Sequence, residues 1–509
     1  MIIDLDYILR KIKFKSLCIS PYFPVLLCFP NFGVMKYQYK KVVVLVVFLF
    51  AVPLAAKASY DSFFTDNTLR VDYFQTGTAS REIISLDQIY REGEWPGTRS
   101  NLIDTLNLGQ YLLKVYDLAT NQLIFSHGFA SIFGEWQTTD EAISGTFRTM
   151  HGTARLPFPK RSVQFIIAKR NKKNVFINQF FTTIDPGSRF VNCERKSFPY
   201  KTNALISNGA PKNKVDLLIM GDGYTKEDLK KFHRDVKRYT DDLFAVSPFK
   251  ERAKDFNVWT IDVISKDSGI DEPRKKRWKQ TALGTSYNSL DLARYVLSLS
   301  NKEIHDIAAM VPYDNIYILV NSSRYGGGGI FNCMATCYTG SEKGQPDWWS
   351  DYVFVHEFGH AFAGLADEYY TSNVAYNDLY PPDVEPWEPN ITTLTNKEHL
   401  KWAALIKPGT PIPTPWEKAR YDSLLNAVKQ LDKKAADYEE KDKLLHQQAQ
   451  AILNSPKYQG IVGCFEGAGY ASQGIYRPAI DCRMFSKSLG GFCPVCRNAI
   501  ERMINFQVK

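Results

Sequence analysis

Two of the chain's eight histidines, His356 and His360, stand four residues apart in the stretch VFVHEFGHAFAGLADEYY (residues 353–370), with Glu357 beside the first. This spacing constrains the fold more than any other feature. On an α-helix, residues i and i+4 share a face, so both imidazoles can address one metal ion. Val353, Phe354, Phe358 and Phe362 are apolar, which predicts a helix buried in a core with its histidines projecting from it. Metal-assisted hydrolysis needs ligands, an open position for water and a base next to that water. His356 and His360 are the expected zinc ligands and Glu357 the expected general base.

A third ligand has to come from further along. Gly364 lies four residues after His360, where a helix can end with φ > 0, and the chain can then turn back towards the metal. In metzincin-type sites the glycine and the third ligand follow the second histidine by three and six residues; here the offsets are four and seven. Asp367 fits best, because it follows the glycine by three. Glu368 is the alternative, as a ligand or as a hydrogen-bond partner of a ligand imidazole, and His399 comes third.

The rest of the chain frames this motif. Residues 1–58 carry eight Lys/Arg and two Asp/Glu, so the formal charge of +9 falls to +3 beyond them, which is no nucleic-acid footprint. Met35 opens a basic segment, an apolar run from Val42 to Leu54 and an Ala56-Lys57-Ala58 close, the pattern of a signal peptide over 35–58. Residues 1–34 read as an over-extended start. The apolar run is shorter than a membrane span of roughly 20 residues, so the protein is expected to be exported (periplasmic, cell-surface or secreted, with a bacterial source) and to keep no stable span. In an exported chain the seven cysteines beyond Ala58 are expected to form disulfides with one thiol left over, or to stay as free buried thiols, ahead of a structural zinc site built around CPVC (493–496) with Cys464 and Cys482.

From Ser59 to about residue 195, short runs such as YLLKVYDL and SVQFIIAKR alternate with period two, as the strands of a β-sandwich-like domain do. No catalytic cluster falls there, so an accessory or substrate-presenting role is expected. From about 200 to 509, strands (215–224, 256–265, 314–323) alternate with helices (from Thr225, with Asp228 in capping-box position, and around 289–300), which indicates an α/β layer. RYGGGGIFNCMATC (324–337) reads as a loop able to approach a ligand closely. Residues 371–414 read as surface chain, with a structural calcium site as an option in the acidic stretch 377–390, and Asn390 heads a glycosylation triplet of little weight. Residues 415–453 read as an antiparallel helical insertion.

HEFGHAFAGLADEYY resembles the zinc string of the immunoglobulin-A-cleaving metallopeptidase family. MGDGYT (220–225), YGGGGIFN and GIYRPAIDCRM (474–484) extend the resemblance over about 200–509. The resemblance implies a zincin-like fold: a twisted sheet, an active-site helix and a methionine-bearing turn beneath the metal, with the β-rich part as the family's amino-terminal domain. Met484 is the candidate for that turn, and Tyr476 a candidate oxyanion donor. The expected protein is a zinc endopeptidase acting on a polypeptide, with host or extracellular glycoproteins as the candidate substrates. In its mechanism zinc polarises the scissile carbonyl, and Glu357 moves the proton of the attacking water to the leaving amine. The alternatives are a non-catalytic glycan-binding surface protein on the same scaffold and a zinc aminopeptidase or amidase.

Overall fold

Period-two burial is literal in one strand of the amino-terminal part. Strand β3 (Tyr111–Asp117) alternates buried and half-buried residues without a break. The computed structural model describes residues 59–508 apart from 341–347, 372–378, 382, 433, 435–436 and 488–489, so the segments read as an over-extended start (1–34) and a signal peptide (35–58) lie outside the described residues. Strands β1 (Phe64–Gly77), β2 (Glu82–Glu94), β5 (Arg148–Pro159) and β8 (Val191–Asn192) form one sheet in the order β5-β1-β2-β8. Strands β3, β4 (Leu123–Phe129), β6 (Val163–Arg170) and β7 (Phe176–Ile184) form the other, in the order β4-β3-β6-β7. Leu69, Val71 and Leu156 of the first sheet share a core with Leu113, Val115, Phe165 and Ile167 of the second.

The carboxy-terminal part is α/β. Its six-stranded mixed sheet comprises β9 (Thr202–Ile206), β10 (Val215–Asp222), β11 (Phe256–Ile261), β14 (Asn315–Val320), β15 (Gly327–Ile330) and β16 (Met334–Tyr338), in the order β15-β16-β14-β10-β11-β9. The two strands numbered between, β12 (Thr285–Ser286) and β13 (Leu297–Ser298), make a small separate pair, and β17 (Phe465–Ala468) and β18 (Ala471–Arg477) make another. Every residue of β10 and β14 is buried, as central parallel strands require. Helix α1 (Leu229–Leu243) buries Phe232, Val236 and Tyr239. It begins at Leu229 rather than Thr225, because Asp228 takes both the amide and the hydroxyl of Thr225 at 3.1 Å and closes a turn ahead of the helix.

Three readings from sequence change here. Residues 289–300 form no α-helix, only a 3-10 turn over Ser289–Asp291; the next α-helix, α2, runs Asn301–Ala308. Asn288, Leu290 and Asp291 have φ of 64°, 52° and 59°, and Val296 N donates to Gly327 O at 3.1 Å, so pairing along the edge of β15 overrides helix propensity. The glycine run is not only a loop, since Gly327–Ile330 is strand β15, antiparallel to β16. Residues 371–414 are not simply surface: Asn390, Ile391 and Trp402 are buried, and the Asn390 carboxamide is spent on Ala366 and Glu368, which leaves no acceptor for a glycan. Helices α4 (Lys418–Gln430) and α5 (Tyr438–Leu453) form the expected helical hairpin.

The two parts share buried material. Leu108, Phe133, Trp136 and Met150 belong to the same hydrophobic core as the α/β sheet. Arg70 of β1, 1% exposed, pairs with Asp72 at 2.6 Å, Glu92 at 3.3 Å and Asp306 of α2 at 2.9 Å. Removing the guanidinium would take from three buried carboxylates their shared partner and leave them only the more peripheral pairs with Arg155, Lys196 and Lys302. Arg70→Ala is therefore expected to cost about 3–5 kcal/mol of stability, read as a lower urea midpoint. Lys237→Ala, whose pair with Asp241 is largely exposed, should leave the midpoint in place. Equal shifts for the two variants would contradict this assignment.

Candidate metal centre

Helix α3 (Trp348–Ala363) carries the histidines. Its apolar side is an aromatic wedge. Phe354 stacks on Tyr317 of β14 at 4.1 Å between ring centroids, Phe358 packs on Phe249 at 5.4 Å, and Phe362 packs on Phe256 at 5.9 Å. Each buried ring is worth about 1.5–3 kcal/mol of apolar burial, so the helix is fixed before its polar face does any chemistry. On that other side, strand β15 runs so close that a Cβ on Gly329 would sit 2.4 Å from Glu357 O and 2.9 Å from His360 Cβ. Only glycine permits this approach.

The helix ends as its glycine requires. Gly364 has φ of +63°, its amide donates to His360 O at 3.0 Å, and Leu365 N donates to Gly359 O at 3.3 Å. The chain then doubles back and places Asp367 against the histidines. His356 Nε2 lies 3.0 Å from Asp367 Oδ1, His360 Nε2 lies 3.3 Å from the same oxygen, and the two Nε2 atoms are 3.1 Å apart. Three ligands of a tetrahedral zinc at about 2.0–2.1 Å stand about 3.3 Å from one another, so the triangle fits a single ion.

The tautomers follow from the partners. His356 Nδ1 is 3.0 Å from Arg483 O and His360 Nδ1 is 2.5 Å from Leu365 O. A carbonyl oxygen only accepts, so both Nδ1 atoms carry the hydrogen and both Nε2 lone pairs face the site. Asp367 Oδ1, the third corner, is buried with no hydrogen-bond partner among the described residues, while Oδ2 accepts from the Tyr470 hydroxyl. Three lone-pair atoms this close repel one another unless a proton or a cation lies among them. Burial opposes the charged forms of His360 and Asp367, yet their mutual attraction prevails. It raises His360 to about 9 and holds Asp367 well below the usual carboxylate range. Burial also pushes the Glu357 carboxyl up, with the two histidines pulling the other way.

The remaining expected residues fall in different places. Met484 is fully buried beneath α3, its sulfur 3.2 Å from where a Cβ on Gly359, the residue before His360, would stand. Glu368 turns away from the triangle towards Asn390 and Cys496. Tyr476 lies on β18, bridged through its backbone to Thr392, and is not among the residues that line the cleft. His399 is exposed. In the described part of 377–390, Glu385 is bound to Lys401, Thr392 and Thr393, and Glu388 accepts from Tyr380. All seven cysteines beyond Ala58 are free and five of them are buried, so of the two expected states the structure has the thiols and not the disulfides, and Cys464 stands outside the group made by Cys482, Cys493 and Cys496.

The triangle of His356, His360 and Asp367 opens into a cleft of about 530 Å³. Glu357 lines it with Gly327 and Gly329, and the opposite wall comes from the β-rich part through Gln110, Ser131, Glu135, Arg170 and Lys172. Tyr295 bridges the two walls with a 2.9 Å hydrogen bond to Glu135. Sequence reading missed Tyr470, Tyr352 and Asn390, which hold the centre through Asp367, His356 and the Ala366–Glu368 backbone and side chain. No local motif marks them, because each reaches the site by tertiary contact.

The chain matches the family model described as IgA Peptidase M64 over residues 204–504, and that described as Peptidase M64 N-terminus over residues 59–181. The first match alone spans more than half of the chain, which belongs to this family of metallopeptidases. No match was found among curated proteins. Because Gly329 sets the distance between β15 and α3, Gly329→Ala is expected to weaken metal binding about 10- to 100-fold, measured by competition with a chelator. Gly93→Ala, where a Cβ meets nothing within 4 Å, should bind metal as the parent does. Unchanged affinity in Gly329→Ala would contradict this role for the strand.

Proposed function

We propose that this M64 peptidase is an exported, zinc-dependent endopeptidase with a zincin-like catalytic fold. His356, His360 and Asp367 would hold the zinc, and Glu357 would act as general base. The observation that carries the reading is the convergence of two Nε2 atoms and one unpartnered carboxylate oxygen within 3.0–3.3 Å, on the floor of a cleft that Glu357 also lines.

When bound, zinc supplies Lewis-acid polarisation of a peptide carbonyl and activation of a water. Glu357 takes the proton of the attacking water and delivers it to the leaving amine. Tyr470 keeps Asp367 in place through Oδ2, and the Arg483 and Leu365 carbonyls keep the imidazoles aimed. Met484, packed under Gly359, supports the helix from below.

An extended substrate has a natural partner in β15. Tyr338 N donates to Gly326 O, which turns Gly326, Gly328 and Ile330 towards β16 and Gly327 and Gly329 outwards. Gly327 is bonded to Arg294 and Val296, and Phe331 O accepts from Ala130 N. Between these two points Gly329 borders the cleft, where a substrate strand can pair with it. A polypeptide lying across such an edge suits internal cleavage. Glu368, with its carboxyl turned to the cysteines, is not placed to anchor a free amine as an aminopeptidase would need. Host or extracellular glycoproteins are the proposed substrate class, on the strength of the family description.

Glu357→Gln is expected to keep its metal and to lose about 10²–10⁴-fold in peptide cleavage, measured with a peptide library on protein starting at Ser59. Cleavage at the parental rate would remove Glu357 from the mechanism, and a zinc-loaded parent that cleaves no peptide would contradict the endopeptidase reading. Export is checked by amino-terminal sequencing of the protein recovered outside the cytoplasm, which should begin at Ser59.

A further inference from the structure

Behind the metal triangle, on the side away from the cleft, lies a second group of metal-ligating atoms. Glu368, Cys482, Cys493 and Cys496 each place one such atom within 4.8 Å of the others. All four side chains are buried, none more than 5% exposed, and none lines the cleft. Cys482 Sγ and Cys496 Sγ are 3.7 Å apart, and Cys496 Sγ is 3.2 Å from Glu368 Oε1. A disulfide would hold two sulfurs at about 2.05 Å. Tetrahedral zinc, with Zn–S of about 2.3 Å and Zn–O of about 2.0 Å, holds two sulfurs about 3.75 Å apart and a sulfur and an oxygen about 3.5 Å apart. The observed spacings suit the metal and not the disulfide.

Two backbone amides aim at sulfur in this group, against a burial that by itself favours the thiols of Cys482 and Cys496. Cys493 N–H points at Cys482 Sγ at 3.2 Å, and Cys496 N–H points at Cys493 Sγ at 3.5 Å. Backbone amides aimed at sulfur favour the thiolate. Glu368 is fully buried. Its Oε1 takes the Asn390 amide at 3.0 Å, but its Oε2 has no hydrogen-bond partner among the described residues. A buried carboxylate oxygen left unpaired costs several kcal/mol unless a cation neutralises it.

We propose that Glu368, Cys482, Cys493 and Cys496 form a closed structural site for a second metal ion of the zinc type. Three thiolates select a soft divalent ion over calcium, magnesium or manganese. Four protein ligands leave no position for water, so the site is structural. Its place in the fold gives it a purpose. Glu368 follows Asp367 directly and donates its amide to Met484 O at 2.8 Å, and Arg483, between Cys482 and Met484, supplies the carbonyl that aims His356. Cys493 and Cys496 stand at the start of helix α6 (Pro494–Val508). One ion would thus pin the Asp367 segment, the Met484 turn and the carboxy-terminal helix together directly behind the catalytic ligands.

The test is metal content of protein starting at Ser59, for the parent and for a His356→Ala/His360→Ala variant. Two measurements go with it: a mercurial titration, and intact mass after alkylation under denaturing, non-reducing conditions. Two zinc ions per chain are expected in the parent and one in the histidine variant. The mercurial should release the remaining ion, and its cobalt form should show thiolate-to-cobalt charge transfer in the near ultraviolet. One thiolate-bound ion in both proteins would uphold this site and contradict the proposed catalytic centre instead. An ion lost entirely with the two histidines, or a mass showing two of the three cysteines joined as a disulfide, would overturn the inference.

Discussion

The close contact between strand β15 and helix α3 is the constraint on which the rest depends. The aromatic wedge of Phe354, Phe358 and Phe362 fixes the helix from the sheet side. The bare backbone of Gly327 and Gly329 then lets the edge strand lie against Glu357 and His360. Any side chain at Gly329 would meet the helix backbone. The same glycines let β15 pack against the histidine helix and, on the proposed function, leave a strand edge along which a substrate would lie. Helix, strand and cleft are consequences of one packing requirement.

The β-rich part is more than an attachment. It contributes Trp136 and Phe133 to the core of the α/β part, reaches α2 through the buried Arg70 network, and supplies Glu135, Arg170 and Lys172 to the wall facing the metal triangle. The Arg70 cluster is expensive to bury and gains only modest net stability from its pairing. Its more evident effect is orientation, since a guanidinium that must satisfy three carboxylates from β1, β2 and α2 tolerates one arrangement of those elements.

Much of this was legible in the sequence, and the limits are instructive. Period-two alternation in YLLKVYDL and the buried run VDLLIM report backbone geometry directly, so the sheets were readable. The i, i+4 histidines and the left-handed Gly364 are local, so the ends of α3 and the place of Asp367 were readable as well. What escaped depends on distant partners. SLDLARYVLSLS has a helical composition, but its backbone is claimed by the edge of β15. Asn390 looks like a surface glycosylation triplet until its carboxamide is seen holding Ala366 and Glu368. CPVC suggested a partnership with Cys464, whereas the fold brings it to Glu368, a residue 125 positions before Cys493.

The central claim is that one ion sits among His356 Nε2, His360 Nε2 and Asp367 Oδ1. The most direct measurement is anomalous diffraction at the zinc edge from crystals of the protein starting at Ser59, grown with zinc. A peak at about 2.0–2.1 Å from all three atoms is the predicted result. Density from zinc elsewhere with none inside that triangle, in crystals where the three side chains are ordered, would contradict the account.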